Sequence, residues 1–406
     1  MGVRSTEEAA VAVVRRLVQR GHVAYLAGGC VRDRLLGRRP KDFDVATDAT
    51  PRRVVECFSR TREVGVQFGV VLVKQGRFWV EVATFRADLS YSDGRHPDAV
   101  VFGSAEEDAK RRDFTVNGMF LDPLTDRVID FVGGQADLQR RIIRAIGEPA
   151  QRFQEDHLRM LRAVRLAAEI GFEIDADTLE AIRRLAPLVR KVSAERIREE
   201  LAKLLAADGR GAGLRRLWET GLLPHLWPGG QWTDERVART VSLLDRLPPS
   251  AGFELGLAGL LITNPMAELR SVCRALACSN ATVRKVTWLR ANLERLQQPE
   301  PLELAELKRM MAGPGFADMI LLWRAYRLVH GLPADVCDEL SARAERVPPD
   351  RVRPRSLITG EDLIRSGYSP GPKFKRVLER VYYQQLNEEL GDREAALSLA
   401  RQLLAD

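Results

Sequence analysis

Apolar residues recur at helical spacing over residues 6–20, give way to short alternating runs as far as about residue 145, and return to helical spacing thereafter. The first helix opens on Ser5-Thr6-Glu7-Glu8, a capping box. A strand at Val23–Ala27 runs into Gly28-Gly29, a helix follows through Leu36, and Phe43–Val45 reads as a second strand. Thr50-Pro51 caps a helix through Phe58, with proline in the first turn where its missing N–H is harmless. Val70–Lys74 and Phe78–Phe85 alternate around Gln75-Gly76, the pattern of a β-hairpin. These elements predict a small α/β head over residues 1–147.

Beyond Glu148 the pattern is helical, with Pro and Gly kept to the joints. Asp156–Ile170, Asp177–Leu185 and Ala194–Leu205 all carry 3.6-residue apolar periodicity. Breaks at Asp208–Gly213, Pro228-Gly229-Gly230 and Pro248–Gly252 divide the remainder into helical hairpins, and Arg346–Arg355 reads as a stiff proline-bearing linker. The expected organisation is therefore a head at 1–147, a helical neck at 148–210, a helical body at 211–345 and a helical tail at 346–406. No fixed-period repeat is present.

Composition narrows the chemistry. With 406 residues the chain calls for about two to four domains, and 45% hydrophobic with 29% charged residues is the balance of a soluble globular protein. A net charge of +7, carried mostly by arginine, favours a polyanionic partner and bidentate phosphate contacts. Cys30, Cys57, Cys273, Cys278 and Cys337 are odd in number and form no CxxC pair, which argues against a disulfide framework or a zinc site and fits a reducing cytoplasm. No apolar run reaches membrane-spanning length and no signal-like segment opens the chain. MGVRST matches a loose myristoylation pattern, for which the capping box is the simpler account.

The densest chemistry lies between Ala27 and Thr50, AGGCVRDRLLGRRPKDFDVATDAT. Gly28 and Gly29 let backbone N–H groups approach a phosphate with no Cβ in the way. Asp42 and Asp44, two apart, point to one side of a strand and offer oxygen ligands to Mg²⁺. Glu81 on the hairpin supplies a candidate third carboxylate, and Arg32, one turn into the helix, adds charge toward a triphosphate. A phosphate cradle beside metal-binding carboxylates predicts two-metal nucleotidyl transfer.

Further segments follow in a fixed order: RRDFTVNG at Arg111–Gly118, DFVGGQADLQRRIIRAIG at Asp130–Gly147, EDHLRMLRAVRL at Glu155–Leu166 and VSAERIREELAKLL at Val192–Leu205. Together with the Gly-Gly and Asp-x-Asp block, they resemble the polymerase-β-like nucleotidyltransferase superfamily, specifically class II tRNA nucleotidyltransferases and bacterial poly(A) polymerases. The resemblance covers residues 24–205 and implies a multidomain α+β fold, a nucleotidyltransferase head followed by an elongated all-α neck, body and tail. It assigns Arg112 to nucleotide binding with Asp113 and Asn117 in support, and makes Arg165 an additional nucleotide contact. Asp156 and Arg159, three apart on a helix, share a face that Arg162 continues. A carboxylate accepts from an exocyclic amine while a guanidinium donates to a ring nitrogen, so the pair suits C and A and leaves U and G mismatched. His157, inside this motif, reads as an ordinary surface residue of a helix, and the five histidines form no metal cluster.

At the carboxyl end, Gly371-Pro372 opens a helix whose Lys373, Lys375 and Arg376 can hold RNA phosphates. This segment resembles the tail of CCA-adding members of the family. The expected activity is addition of C, C and A to the 3′ end of tRNA from CTP and ATP, with two Mg²⁺ ions. Addition of CC only, addition of A only, and poly(A) synthesis stay open as alternatives. The tail and the Arg86–Pro97 loop favour complete addition, whereas GVQFGVVLV departs from the usual strand, and EEDAKRRDFTVN and GLRRLWETGLLPHLWP look like poly(A) polymerase stretches. A non-catalytic RNA-binding module would require loss of Asp42, Asp44 or the Asp156–Arg159 pair, all of which are present.

Overall fold

The computed structural model describes residues 3–63, 69–88, 100–227 and 231–405. Two compact units divide the chain, Met1–Trp232 and Thr233–Asp406. The Pro228-Gly229-Gly230 break, most of the Arg86–Pro97 loop and part of the GVQFGVVLV stretch lie outside the described residues.

The amino-terminal unit is built on a seven-stranded mixed sheet. Helix α1 (Thr6–Gln19) is capped by the Ser5 side chain, which accepts from the Glu8 N–H, while the Glu8 carboxylate takes the Arg4 N–H rather than that of Ser5. Then come β1 (Ala24–Ala27), α2 (Gly29–Leu35), β2 (Asp44–Thr47), α3 (Pro51–Cys57), β3 (Thr61–Glu63), β4 (Val70–Gln75) and β5 (Phe78–Thr84). The strands β6 (Arg86–Asp88) and β7 (Val100–Phe102) pair separately, and α4 (Ala105–Lys110) leads through a 3₁₀ turn at Thr115–Asn117 to β8 (Met119–Asp122) and β9 (Arg127–Asp130). Strand order in the main sheet is β3-β4-β5-β2-β1-β8-β9, with β2 and β5 parallel and the other pairs antiparallel.

The two sheet faces differ because side chains alternate along each strand. Val45, Val71, Val73, Val80 and Val82 are buried on one face, where α1 supplies Ala9, Ala10, Val13, Val14 and Leu17. Asp44 and Glu81 emerge on the other face. Tyr25, Phe85 and Phe120 cluster on that face near β1 and β8, their ring centroids 5.7 to 6.2 Å apart.

Helix α5 (Gly134–Arg140) and the short β10 (Ile142–Ile143) lead into helices: α6 (Pro149–Glu155), α7 (Leu158–Ile170), α8 (Ala176–Leu185), α9 (Ala194–Ala206) and α10 (Arg210–Glu219), with β11 (Glu173–Ile174) pairing β10. The helix expected over Asp156–Ile170 is interrupted. Asp156 is extended at φ −146°, and its own carboxylate accepts the Leu158 N–H at 3.0 Å, so the residue ends α6 and starts α7. His157 is buried rather than superficial, its Nδ1 2.8 Å from the Phe153 carbonyl.

The second unit is all-helical: α11 (Asp234–Leu244), α12 (Phe253–Leu260), α13 (Met266–Ala275), α14 (Asn280–Leu296), α15 (Leu304–Met311), α16 (Phe316–Val329), α17 (Asp335–Glu345), α18 (Pro349–Val352), α19 (Gly360–Arg365), α20 (Pro372–Leu386) and α21 (Arg393–Ala405). A single helical turn, α18, occupies the segment expected to be a linker. Residues from Ile358 to Ala400 have their own core, in which Leu363, Val377, Val381 and Ala396 pack together. No helix among the described residues is long and apolar enough to cross a membrane.

Gly134 begins α5 where a Cβ would lie 2.3 Å from the Thr115 carbonyl and 2.7 Å from Met119. The backbones touch there, and the turn carrying Asn117 is held by that contact. Gly134→Ala should therefore lower stability by about 1–3 kcal/mol through overpacking, read as a fall in thermal midpoint. An unchanged midpoint would show that the turn yields freely.

Candidate active site

The acidic pair stands where β2 begins. Asp44 is its first residue, and Asp42 precedes the strand rather than lying in it. The parallel register Val45↔Val82 sets Asp44 beside Glu81 on β5. Burial is the largest influence on Asp44, followed by the charge of Glu81; with Asp42 they lift its pKa to about 6, against the opposing pull of Arg112. Burial also raises Glu81. Both carboxylates nonetheless remain open to solvent, so they sit in a protein-walled recess and not in the core. Crowded acids with raised pKa values form a negative site that Arg112 compensates only in part. Their donors are oxygens only, as hard divalent cations require. Among the described residues no three His, Cys, Asp or Glu side chains form a ready-made metal cage. Asp42 and Asp44 thus fit a cation whose shell is completed by substrate phosphates and water.

Beside this pair, β1 ends in the Gly28 turn, antiparallel register placing Ala27 opposite Asp44. Gly28 adopts φ +76°, and a Cβ there would lie 3.1 Å from a terminal nitrogen of Arg112. Arg112 rests against the Phe120 ring at 5.0 Å and is anchored by buried Asp108 at 2.9 and 3.1 Å. Arg111 shares the other oxygen of Asp108 at 2.6 and 2.8 Å. One buried carboxylate therefore aims two guanidinium groups, of which Arg112 borders the glycine turn. Cys30, immediately behind that turn, is held neutral, its thiol pushed up to about 11 mainly by burial.

A polar chain then runs from the turn into the helices. Arg32 is buried, clasps Asp33 at 2.7 and 2.9 Å, and donates to Asn117 Oδ1 at 2.6 Å. Asn117 donates to Asp113 Oδ1 at 3.2 Å, and Asp113 Oδ2 receives Arg162 from α7 at 2.6 and 2.9 Å. Burial alone would raise the Asp113 pKa, but Arg162 and Asn117 overcome it and hold the group well below the ordinary carboxylate range. Glu200 on α9 continues the chain, 3.6 Å from Arg162 and 2.8 Å from Arg165, which also binds Glu169 at 2.7 Å.

Asp156 and Arg159 lie close in sequence but do not pair with each other. The Asp156 carboxylate receives Arg196 of α9 at 2.8 and 3.2 Å. Arg159 is buried, donating to Glu155 at 2.8 Å and to the carbonyls of Arg152 and Arg111 at 3.1 and 3.3 Å. Arg152, paired with Glu155 as well, donates to the Arg112 carbonyl at 2.8 Å. Both members are thus already oriented by other charges.

Residues 24–144 match the family described as the poly A polymerase head domain, and residues 171–232 match one described as a probable RNA and SrmB-binding site of polymerase A. The CCA-adding enzyme of Levilactobacillus brevis is 34% identical over 97% of this chain and 97% of its own. That of Geobacillus thermodenitrificans is 36% identical over 94% of this chain and 93% of its own. The crystal structure of the Bacillus stearothermophilus CCA-adding enzyme in complex with CTP superposes with a TM-score of 0.84 at 31% identity, covering 99% of both chains. The chain belongs to the CCA-adding enzyme family. A Thermotoga maritima member complexed with tRNA shares the fold at a TM-score of 0.65 and 20% identity, over 99% of this chain and 96% of that one.

Family membership accounts for the ordered motifs, yet four anchoring residues that lie inside the quoted stretches were given no role by the sequence pattern: Asp108, Glu155, Arg196 and Glu200. Glu200 left a signal, because it falls among Ile197, Leu201 and Leu204 on the apolar face of α9, where a charge demands a partner. In the second unit Lys373, Lys375 and Arg376 are exposed on α20. Lys373 and Arg376, with Val377, Arg380 and Leu403, line a concavity of about 350 Å³. Arg309, lying over the Tyr383 ring at 5.0 Å, joins Arg376 and Arg380 around a second of about 340 Å³. Arg309 and Arg380 were not singled out by the sequence pattern.

The Asp113 ion pair gives a stability prediction with a definite sign. Asp113→Asn should cost on the order of 2 kcal/mol at pH 7, below the usual figure for a buried pair because Arg162 remains 33% exposed. A depressed folded pKa stabilises above the unfolded carboxylate range and loses that contribution as pH falls. Denaturant titrations should therefore show the gap between the two proteins shrinking from pH 5 toward pH 3; a constant gap would refute the assignment.

Proposed function

We propose that this chain is a template-independent RNA nucleotidyltransferase that completes the 3′ end of tRNA by adding C, C and A from CTP and ATP, releasing pyrophosphate. The observation that carries this reading is a single unit in which a crowded acidic pair lies beside an open glycine turn, and a polar chain joins that turn to α7, the helix that carries Arg159 and starts just after Asp156. Kinship at 34–36% identity along nearly the whole chain with CCA-adding enzymes supports the same activity over poly(A) synthesis. In this reading the head (1–147) performs transfer, the neck (148–210) selects the base, and the body (211–345) and tail (346–406) engage tRNA, with Lys373, Lys375 and Arg376 on its phosphates. We place the reaction in the cytoplasm.

Asp42 and Asp44 would hold two Mg²⁺ ions, with Glu81 supporting them; when bound, the ions lower the pKa of the attacking 3′-hydroxyl and neutralise the departing pyrophosphate. Gly28 and Gly29 leave backbone N–H groups bare for the triphosphate. Arg112, fixed by Asp108, and Arg32 bring positive charge to the same end of β1. Asp113 and Asn117 stand beside the ribose position as hydrogen-bonding groups for its hydroxyls. Asp156 accepts from the exocyclic amine of cytosine or adenine while Arg159 donates to the neighbouring ring nitrogen. Uracil or guanine would set a carbonyl against a carboxylate, an unpaired arrangement costing about 1–3 kcal/mol per group. Arg162 and Arg165 hold the reading helix by their links to Asp113 and Glu200.

The assay is incorporation from CTP, ATP or both onto tRNA lacking its last three nucleotides, tRNA ending in C75, and an unrelated RNA oligomer. Ordered C, C, A addition that then stops is expected, whereas a growing A tract on the oligomer would favour a poly(A) polymerase. Asp42→Ala should abolish incorporation of every nucleotide. Asp156→Ala should retain transfer and admit UTP and GTP, and equal losses with unchanged selectivity in both variants would contradict the division of roles.

A pH experiment isolates the acidic pair. At limiting Mg²⁺ the rate should fall as pH drops through about 6, since Asp44 then takes a proton. Raising Mg²⁺ should move that midpoint downward because proton and cation compete for one oxygen set. A midpoint indifferent to Mg²⁺ would place the titrating group elsewhere.

A further inference from the structure

The solvent-facing side of the sheet carries more than the acidic pair. By register, Arg62 on β3, Leu72 and Lys74 on β4, and Trp79 on β5 share the face of Asp44 and Glu81, and all are exposed or half-buried. The Arg62 guanidinium carbon lies 4.5 Å from the Trp79 ring centroid, and Lys74 Nζ lies 5.5 Å from it. Lys74 and Trp79 are direct cross-strand partners. Trp79 precedes Glu81 by two residues, about 6.6 Å along the strand. On this face β3 and β4 carry the cations Arg62 and Lys74 and no carboxylate, since Glu63 pairs with Val71 and faces the other way.

Strand order gives this patch its place. The acidic pair on β2 has the Gly28 turn of β1 on one side and β5, β4 and β3 on the other. A transfer reaction needs the triphosphate and the attacking hydroxyl on either side of the carboxylates. With the triphosphate at the turn, the acceptor strand must approach over β5. An aromatic ring overlaid by a guanidinium presents a flat cationic surface, suited to stacking a base while its N–H groups reach phosphate.

We infer that Arg62, Lys74 and Trp79 form a docking platform for the 3′-terminal strand of the RNA acceptor, seating the nucleotide that precedes the reacting one. This deepens the transferase reading above and rests on it. The platform grips by stacking and charge, so it tolerates a change of base as the chain grows.

The test uses the full-length enzyme and tRNA ending in C75, measuring tRNA dissociation constants directly and the KM for ATP separately. Trp79→Ala should weaken tRNA binding on the order of ten-fold, Trp79→Phe should recover most of it, and the ATP KM should stay put. Arg62→Gln with Lys74→Gln should flatten the salt dependence by about 1.4 in log–log slope. An abasic site at C74 should weaken binding to the unmodified enzyme and add nothing further in Trp79→Ala, since both remove one stack. Normal incorporation with tRNA affinity unmoved by these substitutions, or independent abasic and Trp79 effects, overturns the platform. A raised ATP KM with unaltered tRNA affinity also overturns it, in favour of a nucleotide subsite. Binding that weakens as described in a protein incorporating no nucleotide refutes the transferase reading and keeps the platform.

Discussion

The buried carboxylate of Asp113 is the joint on which the amino-terminal unit is organised. It lies one residue past the arginine that borders the glycine turn and accepts simultaneously from Asn117 and Arg162. Through Asn117 it reaches Arg32, and through Arg162 it reaches α7 and Glu200. A charge removed from water is tolerated only when its lone pairs are filled. Filling them here obliges the 3₁₀ turn, α2 and α7 to keep one mutual arrangement. Arg32 at the glycine turn and the α7 helix that carries Arg159 inherit their relative placement from that requirement.

Much of this was legible because the relevant physics is local. Alternation along Phe78–Phe85 separates the valines packed by α1 from Trp79 and Glu81, and a glycine followed by a helix fixes the turn at Gly28. What escaped depends on tertiary partners. Short strands such as β8 and β9 carry too few residues for a period to register. The Asp156 break arises because an aspartate carboxylate competes for the backbone N–H two residues on, a choice that periodicity does not encode. His157 is buried because its ring nitrogen meets the Phe153 carbonyl exposed at that same break. Glu200 and Arg196 are charges on an otherwise ordinary amphipathic helix until α7 is laid against it.

The sheet divides labour by face. Its apolar side satisfies the hydrophobic requirement with α1 and α3, which frees the opposite side from packing duty around Asp44 and Glu81. Carboxylates there accept an unfavourable like-charge contact because solvent remains within reach of them. The same freedom permits a half-buried tryptophan among cations a short distance along the same strand. Stability and chemistry are thereby kept on opposite surfaces of a few shared strands, and the alternation of side chains is all that separates them.

Asp156 and Arg159 are never bare: each is already satisfied, by Arg196 in one case and by Glu155 and two carbonyls in the other. If these two groups read the base as proposed, a matching base trades places with contacts of similar quality, and its net gain on arrival is small. A reader built this way would have a shallow grip by construction. It would let go of each finished addition as easily as it took hold, which suits an enzyme that must change letters midway through a three-step job.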